Sequence, residues 1–162
     1  MTLNINPDRD LVLDRFPAAP PPLVWRCWTE PDLICQWFCP KPWQVSQAIV
    51  DLRPGGRFFT LMNGPDGERV PNEGSFLEVV LHRKLVFTDM FTEDYAPAAV
   101  PASGAGLSFA AILTFAPEGQ GTRYRAVALH RTLDDAQTHK SMGFYEGWGI
   151  CADQLEELAC RL

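Results

Sequence analysis

No apolar run in this chain approaches the roughly 20 residues needed to cross a bilayer, so no membrane-spanning segment is expected. The opening MTLNINPDRD lacks both the basic and the apolar regions of a secretory signal, which makes the cytoplasm the expected location. Cationic excess is missing too. The 14 Lys and Arg against 20 Asp and Glu leave a net charge of -6, and without a basic surface to meet phosphates, nucleic acid is not an expected partner. The usual catalytic signatures are also absent: there is no G-x-S-x-G, no H-E-x-x-H, no G-x-x-x-x-G-K, and no G-x-G-x-x-G opening a helix. The five cysteines, Cys27, Cys35, Cys39, Cys151 and Cys160, are an odd number without an export signal, and they read as reduced thiols serving as small buried hydrophobes. C-x7-C-x3-C is not a zinc spacing and no histidine lies near it, so neither a metal nor a cofactor is expected.

The composition that is present is that of one globular domain spanning 1–162, with 46% hydrophobic and 21% charged residues. The densest information lies between Trp28 and Phe59. Thr29 and Asp32 have the spacing of a capping box, Pro31 suits a first helical turn, and Pro40 and Pro42 prevent the helix from continuing, which predicts a short helix over about Pro31 to Phe38. A preceding helix is expected to open at Pro22 and run through Trp28. Strand signals recur at Leu11–Phe16, Trp43–Leu52, Arg57–Met62, Gly74–His82, Lys84–Phe91, Leu107–Phe115 and Thr122–Leu133, making seven. The turns Gly64-Pro65-Asp66-Gly67 and Pro117-Glu118-Gly119-Gln120-Gly121 join neighbours as hairpins, so the strands should form an antiparallel meander. Tyr95 to Gly106 is too rich in Pro, Ala and Gly for a strand and reads as a loop, either a gate or disordered.

The C-terminal stretch reads as one helix from about Asp134 to Leu162, capped by Thr132 and Asp135. Met142, Tyr145, Trp148, Ala152, Leu155, Ala159 and Leu162 recur along it at three- and four-residue intervals as its apolar face. Gly143, Gly147 and Gly149 interrupt it, each at a cost of about 1 kcal/mol relative to alanine. They imply close approach of another backbone or of a ligand.

Several motifs in order are similar to one family: Trp28, the proline-led helix ending in Trp37-Phe38, the strand closed by Asp51-Leu52-Arg53-Pro54-Gly55-Gly56-Arg57-Phe58, Gly64-Pro65-Asp66-Gly67, and Gly147-Trp148. Together they resemble the activator of heat-shock-chaperone ATPase homologue group of the START-like (SRPBCC), birch-pollen-allergen-like superfamily. The resemblance covers essentially the whole chain. It implies an α+β helix-grip fold, in which a curved seven-stranded antiparallel sheet wraps around a long C-terminal helix, with two short helices between strands one and two. Such folds often enclose an apolar cavity, and one such fold serves many unrelated roles.

Candidate site residues can be named from that expectation. Alternation puts Asp89 in the row of Leu85, Phe87 and Phe91, where burial would raise its pKa and suit it to act as an acid or a polar anchor. The alternative register turns Val86, Thr88 and Met90 inward and leaves Asp89 in solvent. The resembling family often has an aromatic residue at this position. His82, His130 and His139 read as surface or internally satisfied polar groups, with His139 near the inward stripe of the last helix. The aromatic content exceeds the needs of a small core, so Trp37, Phe38, Phe58, Phe76, Phe87, Phe91, Phe115, Met142, Tyr145 and Trp148, with Asp89, are the expected ligand-binding residues. The expected function is non-catalytic: a carrier or sensor for a small apolar or amphipathic molecule, lipids included. A second reading is a cyclase- or hydrolase-like enzyme using Asp89 and Tyr145 for proton transfer. A third takes the family name literally, as a stress-response co-chaperone stimulating a chaperone ATPase, but the sequence offers no chaperone-docking domain and such contact is not expected. Monomer or homodimer is left open by the sequence.

Overall fold

Residues 3–99 and 108–162 are described by the computed structural model. Most of the loop read at Tyr95 to Gly106 therefore lies outside the described residues. Seven strands form one antiparallel, open, curved sheet: β1 (Asp10–Arg15), β2 (Gln44–Val50), β3 (Arg57–Asn63), β4 (Arg69–Val80), β5 (Lys84–Thr88), β6 (Phe109–Glu118) and β7 (Gly121–His130). Their spatial order is β1-β7-β6-β5-β4-β3-β2. Every neighbour from β2 to β7 is consecutive, as short hairpins require, and β1 closes onto β7. Helices α1 (Pro21–Thr29) and α2 (Pro31–Ile34) come between β1 and β2, and α3 (Leu133–Ser141) and α4 (Phe144–Ala159) follow β7. The fold is thus the α+β helix grip. No helix among the described residues is long and apolar enough to cross a membrane.

Proline sets the start of α1, with Pro20 as N-cap and Pro21 and Pro22 in the first turn, where a missing N–H costs nothing. Val24, Trp25, Cys27 and Trp28 then form its buried face at helical spacing. Thr29 does not cap the next helix as its spacing with Asp32 suggested. It is the last residue of α1, and its hydroxyl donates to the Trp25 carbonyl at 2.9 Å, leaving Glu30 as the N-cap of α2 with no side-chain cap. The regular part of α2 ends at Ile34 instead of Phe38. Turn hydrogen bonds continue to Phe38 and carry Trp37 and Phe38 inward.

Two departures in the sheet change which residues face the core. β4 begins at Arg69, five residues before the expected Gly74, and pairs along β3 through Pro71. Pro71 is tolerated because β5 pairs with β4 only from Ser75 onward, so no partner is waiting for an N–H there. The β4–β5 register then slips between Phe76 and Glu78. At this bulge Phe76 is fully buried and Leu77 only partly, while Val79 keeps its expected place against the core. β5 stops at Thr88, short of Phe91, because the Thr88 hydroxyl accepts from the Met90 N–H at 3.1 Å and turns the chain out of the ladder.

The expected single C-terminal helix is two. Gly143 adopts φ 92°, left-handed backbone that glycine takes without a Cβ penalty, and the helix restarts at Phe144. Thr132 does cap α3, its hydroxyl oxygen accepting from the Asp135 N–H at 3.1 Å. The core lies between the sheet and these helices. It joins Leu11 and Leu13 of β1, the α1 aromatics, Phe58, Phe76, Leu85, Leu113 and Phe115 of the sheet, and Phe144, Leu155 and Leu158 of α4.

Candidate functional site

Between α4 and the concave sheet lies a cavity of about 420 Å³, within the usual size range of small-molecule sites. Strand alternation builds one wall, with Phe58, Thr60 and Met62 of β3 pointing in turn to the same side. Phe87 and Thr88 of β5, Phe109 of β6 and Tyr124 of β7 extend it across the sheet. Trp28 of α1, the Trp37-Phe38-Cys39 turn, and His139, Phe144, Gly147, Trp148 and Cys151 of the C-terminal helices complete the lining. The exposed or half-exposed Met62, Asn72, Glu73 and Met142 mark the mouth.

The aromatic walls interlock edge to face. Trp28 meets Trp37 at 4.8 Å and Phe38 at 5.6 Å between ring centroids, and Phe58 meets Phe87 at 4.9 Å. On the helix side Phe144 meets His139 edge-on at 5.0 Å and lies tilted against Trp148 at 4.8 Å. Such pairs hold their rings in one geometry and leave the space between the two groups unfilled.

Polar atoms are few. The Asp89 carboxylate lies on the cavity wall just past β5, where Oδ1 accepts from the Phe109 N–H at 3.1 Å. Burial pushes its pKa above the ordinary 3.8, the Phe109 N–H and its own backbone N–H partly opposing. Glu73 is committed to a bidentate pair with Arg57, at 2.6 and 3.0 Å. The buried Tyr124 phenol has its pKa raised by desolvation, offset in part by the neighbouring Trp28 indole N–H. That indole N–H reaches no acceptor in hydrogen-bonding geometry among the described residues, so its influence on Tyr124 is proximity without a formed bond. Burial also raises the Cys39 thiol to about 11 and the Cys151 thiol to about 12, keeping both protonated and unreactive at neutral pH. Cys160 departs from the expectation of burial: it is exposed, just past the end of α4.

Two histidines form a buried pair, His139 on this wall and His130 behind it. Nδ1 of His130 lies 3.0 Å from the Arg9 carbonyl, and its Nε2 lies 2.8 Å from Nδ1 of His139. Burial, with His130 adding to it, pushes His139 down to about 4, so it is uncharged at neutral pH.

Of the residues proposed from sequence, the structure brings Trp37, Phe38, Phe58, Phe87, Asp89, Met142 and Trp148 to this one cavity. Phe76 and Phe115 lie in the packed core behind it, Phe76 stacked on Phe58 and Phe115 against Trp25. Phe91 is turned outward beyond the end of β5, and its backbone bridges to Pro97. Tyr145 is 41% exposed and off the cavity wall, so Asp89 and Tyr145 are not brought together. The physical reason is helical phase within α4. Phe144, four residues before Trp148, faces in with Ala152 and Leu155, and Tyr145 lies about 100° from Phe144. Trp28, Phe109, Tyr124, His139 and Phe144 are wall residues that the sequence reading had not assigned to the site. The spacing 144, 148, 151, 152, 155 would have found Phe144.

The three glycines have separate reasons. Gly143 turns the backbone, and a Cβ at Gly149 would meet the Arg15 guanidinium at 2.8 Å. A Cβ at Gly147 meets nothing within 4 Å, because Gly147 lies on the cavity wall.

The family model described as "Activator of Hsp90 ATPase homolog 1-like protein" matches residues 18–159. Among solved structures, the crystal structure of protein NE0264 from Nitrosomonas europaea is 45% identical, covers 97% of each chain and superposes with a TM-score of 0.90. Protein Ms6760 from Mycobacterium smegmatis is 26% identical over 93% of this chain and 90% of its own, with a TM-score of 0.76. The AHSA1-like protein from Aeromonas hydrophila shares the fold at 21% identity, over 92% of this chain and 90% of its own, with a TM-score of 0.69. No curated protein matches the chain.

Proposed function

The chain belongs to the activator of Hsp90 ATPase homologue 1-like family, and we propose that it binds a small apolar or amphipathic molecule between α4 and the sheet, as a carrier or sensor. This fold is commonly a ligand-binding one. The observation that carries the reading is the cavity of about 420 Å³ with its interlocked aromatic walls. Protein interiors are packed as densely as organic crystals, and a space of this size among tryptophans and phenylalanines forgoes dispersion contacts that a ligand would supply.

Prodan, an uncharged solvatochromic naphthalene, is a suitable probe. Its emission should shift to the blue with saturable, one-to-one binding. Trp148→Ala, which removes wall area from a half-buried side chain, should weaken binding about tenfold while leaving the fold intact by circular dichroism. Emission that rises linearly without saturating, or an affinity untouched by Trp148→Ala, overturns the reading. Prodan recovered unchanged is uninformative about catalysis, so a candidate natural ligand recovered from the host should be followed by mass spectrometry; its conversion would make the protein an enzyme.

A further inference from the structure

The His130–His139 pair has a consequence for the ligands the cavity accepts. A carbonyl oxygen can only accept, so the short contact to Arg9 puts the proton of His130 on Nδ1. With its one proton on Nδ1, His130 presents Nε2 as an acceptor, and the 2.8 Å contact then requires His139 to carry its proton on Nδ1. Nε2 of His139 is left with a bare lone pair. No described residue hydrogen-bonds that nitrogen, and the His139 ring is part of the cavity wall. The chain of two hydrogen bonds therefore presents Nε2 of His139 as an acceptor.

Charge narrows the ligand further. The described lining residues hold two carboxylates, Asp89 and Glu73, and no lysine or arginine. An anion entering this apolar space would lose its hydration and meet no cation, a cost far larger than a neutral hydrogen bond returns.

Resting on the ligand-binding reading above, we propose that the cavity selects an uncharged, hydroxyl-bearing cyclic compound, a phenol or a ring alcohol, whose O–H donates to Nε2 of His139, and that it rejects the corresponding carboxylate. His139 is the specificity-determining residue and His130 the positioning residue that fixes its tautomer.

The test uses three probes with one skeleton, naphthalene, 2-naphthol and 2-naphthoate, competing against bound prodan at neutral pH. The expected order is 2-naphthol about fivefold tighter than naphthalene, the weight of one neutral hydrogen bond, with 2-naphthoate weakest. His139→Phe should remove the preference for naphthol and leave naphthalene unchanged or slightly tighter. An equal affinity for naphthol and naphthalene, a preference that survives His139→Phe, or tightest binding of naphthoate overturns the proposal. If prodan itself fails to saturate, the cavity reading falls instead, and the two failures are thus distinct. Long-range proton–nitrogen NMR correlations on the unliganded protein supply a readout independent of binding and of any variant's folding. Both histidines should be the Nδ1–H tautomer, and a proton on Nε2 of His139 sinks the argument.

Discussion

Gly147 offers the sharpest test of the cavity, because one position predicts opposite effects on stability and on binding. It sits near the start of α4 with its missing side chain facing space: a Cβ there meets nothing within 4 Å. Gly147→Ala should recover part of the helix-propensity penalty, about 0.5 to 1 kcal/mol, since the position lies close to the helix end. For a chain of this size that corresponds to a rise in Tm of about 1 to 4 °C. Gly147→Leu keeps most of that gain and adds apolar burial against Trp148 and the facing sheet, worth up to about 1.5 to 3 kcal/mol if the side chain is fully covered. The leucine occupies space that a ligand would need. Urea unfolding should therefore order the proteins Leu, then Ala, then parent in stability, while prodan titration should find the alanine variant within about twofold of the parent and the leucine variant at least tenfold weaker. A leucine variant that is less stable than the parent would mean the space is not there. One that binds prodan as tightly would mean the probe sits elsewhere.

Other expectations concern the buried ionisable groups and the phase of α4. His139 is held near pKa 4 against an ordinary 6.5, so as pH falls the unfolded chain takes up the proton first. Its contribution to stability is complete above 6.5 and is lost between there and about 4, and urea midpoints across that window should fall less steeply in His139→Phe than in the parent. Asp89 has the opposite sign. Its raised pKa means the folded state binds the proton more readily, so its contribution is favourable below 3.8 and is lost as pH rises through the raised value. Asp89→Asn keeps an acceptor for the Phe109 N–H and should be at least as stable as the parent at neutral pH, with the difference closing as pH approaches 3.8; a variant less stable at neutral pH contradicts this. Phe144→Ala should cost about 3 to 5 kcal/mol in urea unfolding, because the ring is almost fully buried. Tyr145→Phe should change stability by less than about 0.5 kcal/mol, and the reverse ranking would restore the helix phase read from sequence.

The sequence by itself determined the α+β class, the seven strands, the helices between strands one and two and the family, because these rest on local signals: proline at helix starts, turn residues between apolar runs, and period-two or helical spacing. It also placed seven of the eventual wall residues in one expected site. The tertiary structure alone decided where local signals compete. Thr29 has the spacing of a cap, yet it ends α1 because the Trp25 carbonyl is within its reach. Leu77, Val79 and Leu81 alternate like a core row, yet a bulge whose position depends on the partner strand turns Phe76 inward. Tyr145 and Phe144 flank the same apolar stripe of α4, and only the way α4 packs on the sheet buries Phe144 and leaves Tyr145 out. The histidine pair was the least legible feature. His130 and His139 are nine residues apart on a strand and a helix, and only the packing of α3 across the end of β7 brings their nitrogens to 2.8 Å. A hydrogen bond between side chains on different elements leaves no period or spacing in the chain. It exists only once the backbone path is fixed.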